Sequence, residues 1–420
     1  MYSILHNTSS LLTLATDYAN NKGPHSGPRS GSAMSELGQI QNGAIVFSTE
    51  GIIETGSSKT ILKKYPYPEK CIDVNGSLAM PGLVDCHTHL VFAGNRSNEM
   101  LMRLQGATYL DILKSGGGIN KTVEATREAS FNELKRLGMN RLNQLMKHGT
   151  TSVEIKSGYG LNEETEHKLL DVINFLSDAH PLDIVATYLG AHTVPRGADR
   201  QDYIRWLSSS SLKDFKKKAT YFDIFCEDGA FSAEESQMLL EAAKHAGFQL
   251  KAHAGQFNDL GISGIAAEQG AVSIDHLDHI SDEQLQIMAD HQCIGVLLPG
   301  VPFFLKTNIY PNVKRFRSLG TPFAIATDFN PGSCPSFSML MMISLAVLKC
   351  GATLNEAICA STINAAYAMG LGEKVGSLEP GKQADILVLD VETPDEIPYY
   401  FGTNLTKTVI KNGCICEIKR

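Results

Sequence analysis

The sequence predicts an α/β protein: a (β/α)8 barrel of the TIM type that carries a small β-sandwich-like domain built from both termini. Three observations predict it. Both ends of the chain hold short β-type runs between turn residues, whereas the centre alternates apolar runs of strand length with amphipathic helical stretches. Eight strand-like runs recur in that centre, and parallel strands joined by helices are what such alternation builds. A centre of roughly 290 residues with that many repeats has the size of a closed barrel rather than of an open doubly wound sheet. The expected division is residues 1–80 plus 375–420 for the small composite domain and 81–374 for the barrel.

The elements follow in order. After the Gly/Ser/Pro-containing stretch Lys22–Ser32 come the short runs Gly43–Ser48, Gly51–Thr55 and Lys70–Val74. The barrel strands are expected at Leu83–Cys86, Thr151–Ile155, Asp183–Leu189, Phe222–Cys226, Gln249–Ala252, Val272–Asp275, Ile294–Leu298 and Phe323–Thr327. Amphipathic helices are expected at Phe131–Lys147, Glu163–Ser177 and Ala233–Ala246, and the serine-interrupted apolar run Phe337–Leu348 reads as a buried helix. Gly116-Gly117-Gly118 has the wrong spacing for a dinucleotide fingerprint. Gly376–Gln383 spells G-x-x-x-x-G-K, but Gln383 stands where a phosphate loop needs Ser or Thr, so it reads as a turn before a strand at Asp385–Asp390. A last strand at Thr408–Ile410 runs into the turn Lys411-Asn412-Gly413.

Composition narrows the function classes. Hydrophobic residues make up 43% and charged residues 20%, a globular balance that excludes disorder, collagen-like repeats and coiled coil. Basic residues number 37 against 45 acidic, a net −8, which gives no general attraction for nucleic acid or for an anionic membrane. The basic run Lys216–Lys218 reads as a solvated helix face. Mean hydropathy is −0.09, and no apolar run approaches the roughly eighteen residues of a spanning helix. The nine cysteines are scattered, with no CxxC, and Met1–Thr16 lacks the basic start and cleavage site of a secretion signal. The expectation is a reduced, cytoplasmic protein.

Chemistry concentrates at strand ends. His87-Thr88-His89 closes the first barrel run, and positions i and i+2 of a strand point the same way, so both imidazoles converge on one site. Alone, the pair reads equally as two hydrogen-bonded loop histidines. The later strands weigh against that reading: His253, His276 and Asp328 each follow or end another run, at the face where barrels of this kind keep their active sites. Two histidines, a third histidine and a carboxylate form an N/O ligand set for a catalytic zinc or iron with an open position for water. Cys86 beside them reads as a small buried residue. Glu154 and Lys156 read as an ion pair at a strand end.

Two segments carry a resemblance. Pro81-Gly82-Leu83-Val84-Asp85-Cys86-His87-Thr88-His89 and Gly376–Asp385 are similar to the amidohydrolase superfamily. Further blocks resemble its imidazolonepropionase family: Gly94-Asn95-Arg96, Thr108–Ile112, Gly116–Ile119, Lys156–Leu161, Gly190-Ala191-His192 and Ala326–Ser333. The resemblance implies one divalent metal per chain, zinc or iron, on His87, His89, His253 and Asp328. It implies Arg96, Tyr109, Tyr159, His192, Gln256, Asn330, Gly332 and Ser333 as contacts to a small anionic heterocycle, His276 as a catalytic helper and a homodimer. Gln256 departs from the pattern, which commonly has Glu three residues after the third histidine; an amide cannot shuttle a proton.

The implied reaction is the opening of 4-imidazolone-5-propanoate to N-formimidoyl-L-glutamate in histidine degradation. A cyclic amide resists hydrolysis because water is a poor nucleophile and the ring nitrogen a poor leaving group. A metal that acidifies water answers the first difficulty, and a carboxylate such as Asp328 that passes a proton to the departing nitrogen answers the second. Arg96 offers the planar fork that fits a propionate carboxylate. A nucleobase deaminase of the same superfamily is the nearest rival, and Gln256 weighs against it. A metal-free scaffold would lack ligands, and all four are present.

Overall fold

The computed structural model describes residues 1–15, 27–106 and 117–416. Seven strands precede the barrel: β1 (Ser3–His6), β2 (Ser10–Leu12), β3 (Gln39–Gln41), β4 (Gly43–Ser48), β5 (Gly51–Ser57), β6 (Lys70–Asp73) and β7 (Leu78–Pro81). The barrel strands are β8 (Leu83–Asp85), β9 (Thr150–Lys156), β10 (Asp183–Ala191), β11 (Tyr221–Cys226), β12 (Gln249–Ala254), β13 (Ser273–His276), β14 (Ile294–Leu297) and β15 (Phe323–Ile325). β16 (Ile386–Leu389), β17 (Thr406–Lys411) and β18 (Cys414–Cys416) return to the small domain.

β8 to β15 pair in chain order, every pair parallel, into one eight-stranded sheet. The sheet closes just past its strand ends. Thr88 and Phe329 form a parallel bridge, the Asp328 N–H donates to His87 O (3.1 Å) and the His89 N–H to Phe329 O (2.9 Å). The closing seam thus runs through the residues expected to bind metal. Helices between the strands start at side-chain caps: Ser130 accepts from Glu133 N before Phe131–Lys147, Asn162 from Thr165 N before Glu163–Ala179, and Ser232 completes a capping box with Glu235 before Ala233–His245. Each apolar face lies against the sheet; Leu169, Leu170, Ile173 and Leu176 of Glu163–Ala179 are buried. The run expected as a buried helix is Met339–Lys349, with seven buried residues.

The small domain stacks two sheets, β5-β4-β1-β6 and β18-β17-β16-β7-β2-β3. Leu5, Ile45, Phe47 and Ile52 from the first meet Leu11, Ala79, Ile386, Val388 and Ile410 from the second in one buried cluster, so both termini supply the sandwich core. Asn412 (φ 51°) and Gly413 (φ 73°) form the two-residue hairpin between β17 and β18. Two local differences from the sequence reading have physical causes. Pro81 and Leu83, on either side of Gly82, belong to different sheets: β7 pairs with β16 in the sandwich, while β8 pairs with β9 in the barrel. A Cβ on Gly82 would lie 2.2 Å from Thr151 Oγ1, so only glycine lets the chain cross between the sheets there. The segment around Arg29 packs on the barrel side, exchanging hydrogen bonds with Asn364 (Arg29 N–H to Oδ1, Nδ2 to Arg29 O, both 2.8 Å). Among the described residues no helix is long and apolar enough to cross a membrane.

Candidate active site

Three strand ends bring the four expected ligands together. His87 and His89 lie just past β8, His253 within β12, and Asp328 beyond β15. Thr88, between the two histidines, turns the other way and donates through Oγ1 to Glu154 O (2.6 Å), which keeps both imidazoles on the inner side. His87 Nε2 and His89 Nε2 lie 3.3 Å apart, and Asp328 Oδ1 lies 3.3 Å and 3.5 Å from them. The ligand atoms of His87, His89 and His253 all lie within 4.8 Å of one another, as do those of His87, His276 and Asp328. All five side chains are buried.

The other ring nitrogens explain this orientation. His87 Nδ1 donates to Asp275 Oδ2 (2.7 Å) and His253 Nδ1 to Asp223 Oδ1 (3.1 Å), which leaves both Nε2 lone pairs aimed at the common point. Among the described residues His253 Nε2 and Asp328 Oδ1 are buried without a hydrogen-bond partner. Buried polar atoms are rarely left unpaired, and a cation between these donors would satisfy all of them. The donor set therefore fits a divalent metal. Burial pushes the Asp328 carboxyl up to about 7, against the opposing pull of His253, Asn330 and Ser333. Burial likewise lowers the imidazoles of His87, His89 and His276 well below their usual value.

Asp328 is held in a left-handed backbone conformation (φ 50°), and His276 and Leu277 share that region (φ 79° and 63°). Such positive φ angles at bulky residues are strained and recur where a side chain must be aimed. Asn330 supplies part of the compensation. Its Nδ2 donates to Asp328 O (2.7 Å) and Ser333 Oγ (2.7 Å), and its Oδ1 accepts from Gly332 N (2.7 Å) and Ser333 N (2.8 Å). Ser333 Oγ then donates to Asp328 Oδ2 (3.1 Å), leaving Oδ1 for the cluster. Asp85 braces the same segment from β8, accepting from Thr327 N (3.0 Å) and Oγ1 (2.6 Å).

Two of the expected substrate contacts, Tyr159 and His192, flank this centre. His192 stacks on His89 (ring centroids 5.1 Å, interplanar angle 17°), and Tyr159 lies 5.6 Å from His192 and 5.8 Å from His89. His192 Nδ1 donates to Gly158 O (3.0 Å), and burial lowers its pKa to about 4, so it is neutral near pH 7. Gly158 adopts φ 106°, and a Cβ there would lie 2.8 Å from Leu189 O. Arg96 donates from Nε to Glu99 Oε2 (2.8 Å), and its guanidinium lies against Gly332, where an added Cβ would fall 2.1 Å from Nη1. Gln256 is half-buried on the loop leaving β12, and among the described residues its side chain makes no hydrogen bond. Tyr109 lies outside the described residues. Cys86 is fully buried, with its thiol pushed well up by burial, as a packing residue would be.

Sequence reading missed the carboxylates that support the site. Asp223 and Asp275 sit mid-strand, where a lone Asp reads as an interrupted apolar run. Glu166 accepts from the N–H groups of Gly158 (3.1 Å), Gly160 (2.7 Å) and Leu161 (2.9 Å), shaping the loop that carries Tyr159. Glu227 does the same for the Gln256 loop, accepting from Phe257 N (2.8 Å) and Asn258 N (3.2 Å). Glu154 and Lys156 do pair (3.0 Å), deep in the barrel and fully buried.

The description "Amidohydrolase family" matches residues 78–416 of this chain. The chain is 44% identical over 387 residues to an imidazolonepropionase from Geobacillus kaustophilus (strain HTA426), covering 90% of this chain and 91% of that one. It is 43% identical over 394 residues to an imidazolonepropionase from Symbiobacterium thermophilum, covering 92% and 93%. Among solved structures, an adenosine deaminase from Xanthomonas campestris with bound zinc superposes with TM-score 0.71 at 14% identity, covering 98% of this chain and 92% of that one. A Xaa-Pro dipeptidase with bound methionine gives 0.68 at 16%, covering 99% and 100%. These distant likenesses establish the fold.

Proposed function

Because the chain belongs to the amidohydrolase family and, within it, to the imidazolonepropionase family, we propose that it hydrolyses 4-imidazolone-5-propanoate to N-formimidoyl-L-glutamate, using one divalent metal, zinc or iron, held by His87, His89, His253 and Asp328. The observation that carries the reading is the convergence of histidine Nε2 atoms and a buried, unpartnered Asp328 Oδ1 in a site that also holds the guanidinium of Arg96 beside Gly332. A divalent ion there supplies the Lewis acidity that makes water nucleophilic near neutral pH.

The chain's own residues do the rest. Asp328 takes the proton from the attacking water and returns it to the ring nitrogen as the C–N bond breaks, so that the hydroxyl ends on the carbonyl carbon and the proton on the leaving nitrogen. His276 donates a hydrogen bond to the oxygen that gains charge at the carbonyl carbon. Arg96 pairs with the propionate carboxylate, Tyr159 and His192 wall the ring, and Gln256 bonds a ring N–H or carbonyl without changing charge. Asn330, Gly332 and Ser333 keep Asp328 and Arg96 in place. Tyr109 completes the substrate contacts, the protein works as a cytoplasmic homodimer, and residues 1–80 plus 375–420 support the catalytic barrel 81–374.

The test is incubation of the metal-loaded protein with freshly generated imidazolonepropionate beside a panel of nucleobases. Loss of ultraviolet absorbance only with the former, with N-formimidoylglutamate as product, is expected. Turnover of a nucleobase with ammonia release would replace this reading with a deaminase.

A further inference from the structure

Beneath the histidine cluster the barrel interior holds five charged side chains, all fully buried: Glu154, Lys156, Asp223, Lys251 and Asp275. Barrel cores are ordinarily filled by branched apolar side chains, so a charged layer here calls for a role. Lys156 is its hub. Its ammonium lies 2.7 Å from Asp223 Oδ2, 3.1 Å from Asp275 Oδ2 and 3.0 Å from Glu154 Oε1. The same two aspartates are the acceptors of His253 Nδ1 and His87 Nδ1. One cation therefore joins the carboxylates behind two different ligands, from β11 and β13. Lys251 differs: it pairs with Glu154 Oε2 (2.9 Å) and lies over the Tyr221 ring. The group Asp223, His253 and Asp275 has metal-ligand spacing, but the Lys156 ammonium already pairs with both of its carboxylates.

We propose that Lys156 is a positioning residue of the metal centre, clamping Asp223 and Asp275 so that His253 and His87 keep their protons on Nδ1 and present Nε2 to the ion. This rests on the metal-centre reading above. Without the ammonium the two carboxylates would lose their common anchor and both imidazoles their fixed orientation. Losing such an outer partner typically costs about 10–100-fold in metal affinity.

The experiment loads purified wild type, Lys156→Met, Lys156→Gln and Lys251→Met with Zn2+ and follows transfer of zinc to an excess of a chelating dye. Both Lys156 variants should release zinc about 10–100-fold more readily than wild type, Gln less so than Met because its amide still bonds one carboxylate. Lys251→Met should lower the unfolding temperature and release zinc at the wild-type rate. Wild-type retention in Lys156→Met, or equal loosening in Lys251→Met, overturns the clamp. Should neither Lys156 variant fold, ¹⁵N shifts of histidine in metal-free wild type decide: His87 and His253 protonated on Nδ1 support it, and protonation on Nε2 overturns it. Wild type that binds neither zinc nor iron would instead sink the metal-centre reading itself.

Discussion

Gln256 sits where the resemblance leads one to expect a carboxylate, and its free, half-buried amide is suited to orient a ring rather than to move a proton. Gln256→Ala should raise KM and leave metal content intact, whereas Gln256→Glu should add an ionisation to the pH profile of kcat/KM; parallel profiles for wild type and Gln256→Glu would deny the residue a place at the substrate. Gly332 is argued from space alone. An alanine Cβ would fall 2.1 Å from Arg96 Nη1, and the flexible arginine would yield before the backbone. Gly332→Ala should therefore raise KM by about 10–100-fold, the worth of a charge-assisted pair, in steady-state kinetics. Asp328 gives a pH prediction with a definite sign. Its carboxyl, raised to about 7 by burial, holds a proton below that pH, and a metal must displace it. Metal affinity of the stripped protein should thus fall about tenfold per pH unit below about 7 and level off above it, measurable by chelator competition. That His87, His89, His253 and Asp328 meet was legible because ligand residue types recur at strand ends. Asp223, Asp275 and Lys156 were not, because only the closed barrel brings β9, β11 and β13 round one point.

At the scale of elements, the site depends on loops stapled by carboxylates from neighbouring segments. Glu227, at the end of β11, fixes Phe257 and Asn258 just beyond Gln256 through their backbone N–H groups. Glu227→Ala removes the acceptor of both N–H groups, and misplacement of the Gln256 loop should raise KM roughly tenfold while leaving bound metal unchanged. Metal loss in that variant would mean the loop also supports His253. The eight barrel strands and the helix Phe131–Lys147 followed from hydrophobic rhythm: short, largely buried runs for the strands, and a buried stripe at Leu134, Gly138, Leu142 and Leu145 for the helix. The strand reading of His87-Thr88-His89 needed adjustment. Those residues lie past the β8 ladder, and their shared direction comes from the Thr88–Phe329 bridge and the Thr88 hydroxyl on Glu154 O. Short edge elements such as Gln39–Gln41 escaped the sequence reading because three residues, with Ile40 alone turned inward, are too few to establish a period.

At the scale of the molecule, barrel and sandwich meet at an ionic node. Lys411, buried on β17, donates to Asp183 Oδ2 (2.5 Å) at the start of β10 and to Asp385 Oδ2 (2.8 Å), while Lys374 reaches Asp183 Oδ1 (2.9 Å). Burial alone would raise the Asp183 carboxyl, and the two lysines more than offset it, holding its pKa below the usual value. Lys411→Met leaves Asp385 and Asp183 without their shared cation, with only Lys374 remaining on Asp183. It should cost about 3 kcal/mol, seen as a lower unfolding temperature, with turnover at 25 °C unchanged because the node lies far along the strands from the cluster. The composite architecture was legible from two β-rich ends around a different centre; the pairing order of the ends was not, because three-residue strands such as Ser10–Leu12 leave too little pattern to fix a neighbour. The central claim is that the four-residue cluster, loaded with metal, opens the imidazolone ring. Its most direct test is turnover of imidazolonepropionate by one preparation as purified, after chelation, and after zinc or iron is restored. The account predicts activity that disappears with the metal and returns with it, in wild type but not in His87→Ala. Full activity in metal-free protein would contradict it.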